Sequence, residues 1–193
     1  MCYNVLVRPP ITYKGDNQMT EPVFSIQTKM ERQDYRKFLY IATFCRNKLT
    51  IPIIVIIALA ASLLVNWKNG TINLLGLVLT WIFMFALSIG VICLQVESKN
   101  KRRITTDKTG TFESTSLLSF YEDKVVIENK ALNSTGELKY DQFFDLLESK
   151  EYFIFYITAN QASLIRKKDV EDVSAFKAFI VAKFQNRYRY INR

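Results

Sequence analysis

The chain has 193 residues, with 26 Lys and Arg against 18 Asp and Glu, a net charge of +8 and no histidine. The missing imidazole excludes Ser-His-Asp and Cys-His nucleophile pairs, imidazole metal ligands and a histidine pH switch. Cys2, Cys45 and Cys93 lie too far apart for a CxxC ligand pair or a disulfide framework. The apolar residues are also unevenly spread: residues 49–96 are almost free of charge, while both flanks are rich in it.

Residues 1–21 read as an irregular N-terminus with Pro9-Pro10 and Gly15, without the basic and apolar regions of a signal peptide. Organised pattern begins just after Met19, which makes Met19 a candidate for the native start alongside Met1. Residues 22–48 divide into two elements. Phe24, Ile26, Thr28 and Met30 alternate with Ser25, Gln27 and Lys29, which predicts a strand. Tyr35, Phe38, Leu39 and Thr43 then oppose Arg36, Lys37 and Arg46 at helical spacing. That pattern suits an amphipathic helix on a membrane surface or a cytoplasmic extension of the next helix.

Residues 49–96 predict a two-helix transmembrane hairpin. Leu49–Val65 is 17 residues without a charge, eleven of them Leu, Ile or Val. These eleven favour insertion by about −3 to −7 kcal/mol in total. As a helix the run is about 26 Å long, near the short limit for spanning. Pro52 falls in the first turn, where its missing N–H breaks no helical bond. Ile72–Leu94 is 23 uncharged residues, about 34 Å as a helix. Gly76, Ala86, Ser88 and Gly90 are small enough to permit close approach of a neighbour. Between the runs, Trp67 suits a water–lipid boundary and Asn69-Gly70 a tight turn.

Lys29, Arg32, Arg36, Lys37, Arg46 and Lys48 precede the first run, and Lys99, Lys101, Arg102, Arg103 and Lys108 follow the second. The turn holds only Lys68. Such a bias predicts a multi-pass protein of the cytoplasmic (inner) membrane with both termini cytoplasmic.

Residues 97–110 read as a basic linker. Across residues 111–193 the period becomes two, predicting strands near 115–121, 124–130, 135–141, 143–149, 152–158 and 162–167. Glu122-Asp123, Asn133-Ser134, Ser149-Lys150 and Ala159-Asn160-Gln161 supply the turns. A final helix carries Val170, Val173, Phe176, Phe179, Ile180 and Phe184 on one stripe, with Asp169 as its expected N-cap. The expected fold is a membrane α-helical hairpin plus an α+β domain, a small antiparallel β-barrel or sheet closed by a C-terminal helix, in the pleckstrin-homology-like manner. The Phe24–Met30 strand is expected to cover one edge of that barrel.

Three stretches, SFYEDKVVIEN, LKYDQFFDLLESKEYFIFYI and SLIRKKDV, carry a resemblance. With the two apolar runs before them, the chain resembles the YcxB-like membrane proteins over about residues 20–185. The resemblance implies an amphipathic N-terminal stretch, two transmembrane helices and a small C-terminal domain. It aligns Tyr140 with a common aromatic position and Lys167 or Lys168 with a basic residue before the last helix. It brings no established activity.

Candidate chemistry is sparse. Lys101, Arg102, Arg103, Arg166, Lys167 and Lys168 are candidates for contact with anionic lipid or a partner. Glu122 and Asp123 in the first hairpin argue against specific phosphoinositide capture. Arg187-Tyr188-Arg189-Tyr190 mixes cations with rings that could stack on bases, but so short a run at a helix end better suits local packing, and no nucleic-acid partner is expected. Glu148 with Glu151, and Asp169 with Asp172, are carboxylate pairs in sequence only. Neither of the glycosylation patterns, at Asn69 and Asn133, stands where it would be used. No catalytic, cofactor or metal site is expected. The expected function is a membrane-tethered module that binds a protein partner or the membrane surface, through a groove or an edge strand. A homo-oligomer is compatible with this. Alternatives are a membrane immunity protein that neutralises a toxin, and transport, for which two uncharged spans offer no ion path without assembly.

Overall fold

A computed structural model describes residues 21–46, 49–68, 71–108, 110, 112, 114–129, 133–159 and 161–192. The Met1 and Met19 starts, the Asn69-Gly70 turn and Asn160 lie outside the described residues. The chain divides into two compact units: one comprises the chain up to Glu31 and from Lys108 onward, the other Arg32–Asp107.

In the first unit, β1 (Phe24–Lys29) is separated in sequence from everything it packs with. It pairs antiparallel with β4 (Thr115–Phe120), from Phe24 opposite Phe120 to Lys29 opposite Thr115. Alternation explains the pairing: Ile26 and Thr28 are buried, whereas Ser25 and Gln27 face out. β5 (Lys124–Asn129) and β6 (Ser134–Lys139) complete a sheet of order β1-β4-β5-β6. Asn133, at φ 45°, turns the chain into β6, a conformation that Asn tolerates better than most residues.

A 3-10 turn, Tyr140–Gln142, then carries the chain into a second sheet. Here β7 (Asp145–Glu148), β8 (Tyr152–Tyr156) and β9 (Ala162–Arg166) form a meander. All five residues of β8 are buried. The helix α4 (Val173–Phe184) lays Phe176, Ile180 and Phe184 into a core shared with both sheets. Edge-to-face rings dominate that core: Phe176 meets Phe120 at 4.9 Å and Phe153 at 5.3 Å, and Phe184 meets Phe155 at 5.7 Å.

Several features differ from the sequence expectations. The two four-stranded sheets do not close into a barrel among the described residues, because β6 and β7 are separated by the 3-10 turn and share no ladder. The cap of α4 is Asp172, whose Oδ1 accepts from the Ala175 N–H at 2.9 Å. Asp169 ends a 3-10 turn (Lys167–Asp169) with extended Val170 after it, too early to cap. The tail forms a strand, β10 (Tyr188–Tyr190), parallel to β7. Finally, the strand and helix expected within 22–48 fall in different units.

The second unit is helical. α1 (Arg32–Phe44) buries Tyr35, Phe38 and Leu39 of the expected stripe, together with Asp34, and leaves Thr43 half-buried. α2 (Thr50–Asn66) is followed by a minimal ladder of β2 (Trp67–Lys68) and β3 (Thr71–Ile72). α3 (Leu74–Thr106) starts at Asn73, whose Oδ1 accepts from the Gly76 N–H. It runs for 33 residues, so most of the expected linker 97–110 is helix. No Gly or Pro interrupts that stretch, its Lys and Arg favour helix, and α1 braces it through Glu97.

Candidate functional site

The largest chemical feature of the helical unit is uncovered apolar surface. α2 buries only Ile54, Ala58 and Ser62, and α3 only Val96. Ile56, Leu64, Leu74, Leu79, Phe83 and Leu94 are all more than half exposed. Among the described residues, one helix, α3, is long and apolar enough to cross a membrane, and none of its apolar window is buried within the chain. α2 is also apolar but shorter.

Ile54, Ala58 and Ser62 recur every four residues and form the face of α2 that meets α3. The Ser62 hydroxyl donates to the Leu77 carbonyl at 2.7 Å. Asn66 Nδ2 donates to the Ser62 carbonyl at 2.9 Å and to Thr80 Oγ1 at 3.2 Å, and the Trp81 indole N–H to the Val55 carbonyl at 3.4 Å. Of the small residues expected to allow approach, Gly76 does so: an added Cβ would lie 2.7 Å from Asn66 Oδ1. Gly90 has nothing within 4 Å of that position. The small residues that matter most, Ala58 and Ser62, are on the other helix.

The basic candidates separate into two groups. Lys101 and Arg102 project from α3 into solvent, with Arg103 half-buried beside them. One turn earlier, Glu97 accepts from Arg36 at 2.6 Å and Tyr40 at 2.8 Å. Those two donors hold the Glu97 carboxyl below its usual range, and the Glu97 carboxylate in turn holds Arg36 above its own. Burial raises the Tyr35 hydroxyl, partly offset by the Arg103 charge.

Arg166, Lys167 and Lys168 lie in the other unit, and two of the three are engaged internally. The Arg166 side chain, 10% exposed, donates Nε to Asp169 at 2.7 Å and Nη1 to Glu31 at 2.6 Å. Asp169 also accepts from Thr28 Oγ1 at 2.6 Å. This clasp ties the end of β1 to the turn after β9, which is why Asp169 is unavailable as a cap. Lys167 reaches Glu148 at 2.6 Å and lies over the Phe153 ring. Lys168 stays exposed, 3.8 Å from Glu31.

Glu148, which the sequence offers only as a pair with Glu151, stands instead at the centre of a buried network. It is 2% exposed and accepts from Lys167, from Lys177 at 3.0 Å and from the Tyr188 hydroxyl. Burial alone would raise its carboxyl, but the hydrogen bonds from Lys167, Tyr188 and Lys177 outweigh it and leave it below the ordinary range. Burial and the Glu148 hydrogen bond raise Tyr188 in turn. A single Glu among alternating residues carries no sign of this, because its three donors come from β9's exit, α4 and the tail. Tyr140 is buried, and its hydroxyl donates to the Tyr121 carbonyl at 2.7 Å. Burial, with Glu122 and Asp123 nearby, pushes that hydroxyl well up. Among the described residues, no His, Cys, Asp and Glu cluster could hold a metal ion.

No curated protein and no solved structure matches the chain. Residues 120–180 match a family model described as YcxB-like protein, a segment that runs from the end of β4 into α4. Over that segment, which is less than half of its length, the chain is similar to the YcxB-like family.

Proposed function

We propose that the protein is a non-catalytic interaction module tethered in the cytoplasmic membrane, a pleckstrin-homology-like domain into which a two-helix transmembrane hairpin is inserted. One observation carries the reading. β1 and β4 are hydrogen-bonded neighbours, yet α1, α2 and α3 lie between them in sequence. If α3 crosses a bilayer, the chain must cross an even number of times between Lys29 and Thr115 to bring both strands to one side. α2 is the only other apolar helix among the described residues. At 17 residues it can cross with local thinning of the bilayer. The two connections leave the sheet from the paired residues Lys29 and Thr115, at the same end of neighbouring strands. Basic residues before α2 and after α3 support the cytoplasmic side for both termini.

Lys101, Arg102 and Arg103 then serve as contacts for anionic headgroups, and Lys168 is the one exposed cation of its triplet. β6, exposed along most of its length and, among the described residues, laddered only with β5, is an open edge at which a partner strand can add. Alkaline carbonate washing of membranes tests the tether: the protein should stay in the pellet until detergent is added. Release into the supernatant without detergent would overturn the reading.

A further inference from the structure

The second sheet is finished by the last residues of the chain. In β10, Tyr188, Arg189 and Tyr190 stand opposite Leu146, Leu147 and Glu148. The tail meets two carboxylates that are buried in the folded chain, Glu148 at 2% and Asp145 at 7% exposure. Tyr188 donates to Glu148 and Arg189 pairs with Asp145. Arg187 Nη1 donates to the Phe143 carbonyl at 2.5 Å and Nη2 to the Tyr140 carbonyl at 3.1 Å. The Ile191 N–H donates to the Glu148 carbonyl at 2.9 Å. Every recognising group therefore lies on residues 187–191, beyond α4.

Only the 3-10 turn Gln185–Arg187 joins this strand to α4, and Gln185 sits at φ 46°. A non-glycine residue held there is strained. A short hinge under strain is the condition in which an element exchanges between identical chains, because the exchanged form keeps every bond and releases the hinge.

We propose that the β7 edge is a docking site for a basic-aromatic strand, and that the tail of a second copy of this chain enters it, joining two copies by reciprocal exchange of β10. This goes beyond the tether reading and rests on the strand-containing unit alone.

The test uses full-length chains carrying two different affinity tags, co-expressed and extracted in mild detergent. Wild-type copies should co-purify. Arg189→Asp sets two acids against each other in its own chain, and Asp145→Arg sets two cations. Each variant alone should lose co-purification roughly tenfold, since like charges face each other in every pairing. Mixing the two should restore it, because reciprocal exchange then matches both edges. Gln185→Gly, which relaxes the hinge without touching the edge, should lower wild-type co-purification severalfold. If the charge variants misfold, a labelled peptide of residues 185–192 added in excess to the full-length wild-type chains replaces them; it should reduce their co-purification severalfold, and cease to do so when its Arg187 and Arg189 are changed to Glu. Wild-type chains that never co-purify, co-purification indifferent to the charge pairs, or co-purification indifferent to the peptide would each overturn the exchange.

Discussion

Ile26 offers the sharpest perturbation of the inserted topology. Its side chain is 3% exposed, it stands opposite Leu118, and it belongs to a core otherwise built from residues beyond position 117. Ile26→Ala removes three carbons from that core and leaves a cavity, at a cost of about 2–5 kcal/mol. A domain of this size is stable by only about 5–15 kcal/mol, so the loss should be visible as partial opening. The assay is limited proteolysis of the full-length protein in membranes, following an epitope at the C-terminus. Ile26→Ala should speed loss of the epitope by a factor of ten or more, on the order expected when about 2 kcal/mol shifts the opening equilibrium. Ser25→Ala, one residue away on the exposed side, should change it little, by about 0.5 kcal/mol at most. Equal resistance of both variants and wild type would refute the claim that β1 completes a domain from across the hairpin. Deletion of residues 20–30 should exceed either substitution.

Other expectations are as direct. Glu148 titrates below the ordinary carboxylate range in the folded chain, so its stabilising contribution is present above the unfolded value and is lost as pH falls through the folded one. Acid unfolding followed by tyrosine fluorescence should therefore be steeper for wild type than for Glu148→Gln, which should be weaker at neutral pH and flatter in acid. Ser62→Leu places a large side chain where Ser62 is fully buried against α3, and should cost about 1–3 kcal/mol of hairpin stability, read from the Trp81 signal during thermal melting in micelles. Lys101→Gln with Arg102→Gln should weaken retention of anionic lipid by about 1 kcal/mol per charge in native mass spectrometry, whereas Lys167→Gln should lower stability and leave lipid retention unchanged.

The strands and the last helix were legible because their patterns are local. Alternation in Phe24–Lys29 and the stripe Phe176, Ile180 and Phe184 each report a buried face without knowledge of what covers it. The extension of α3 through Lys101–Arg103 was hidden by its charge, which reads as linker but is equally good helix once α1 braces it at Glu97. Asp169 illustrates a different loss. Its position before an apolar stripe suggests a cap, yet Arg166 and Thr28 claim its oxygens, and Thr28 is 141 positions away. The same distance problem conceals Glu148 and the tail strand: an Arg-Tyr-Arg-Tyr run has no period that reveals the buried acids waiting for it on β7. Two of the six basic candidates proved to be internal for this reason, since charge count alone does not distinguish a solvated cation from one facing a buried carboxylate.

Sidedness of the turn between α2 and α3, relative to the sheets, tests the central claim most directly. Single-cysteine chains with Trp67→Cys and Lys150→Cys, in a background where Cys2, Cys45 and Cys93 are serine, would be exposed to an impermeant thiol reagent in sealed right-side-out vesicles. The inserted hairpin requires position 67 to label at once and position 150 to label only after permeabilisation. Labelling of both positions from outside, or of position 150 alone, would contradict it.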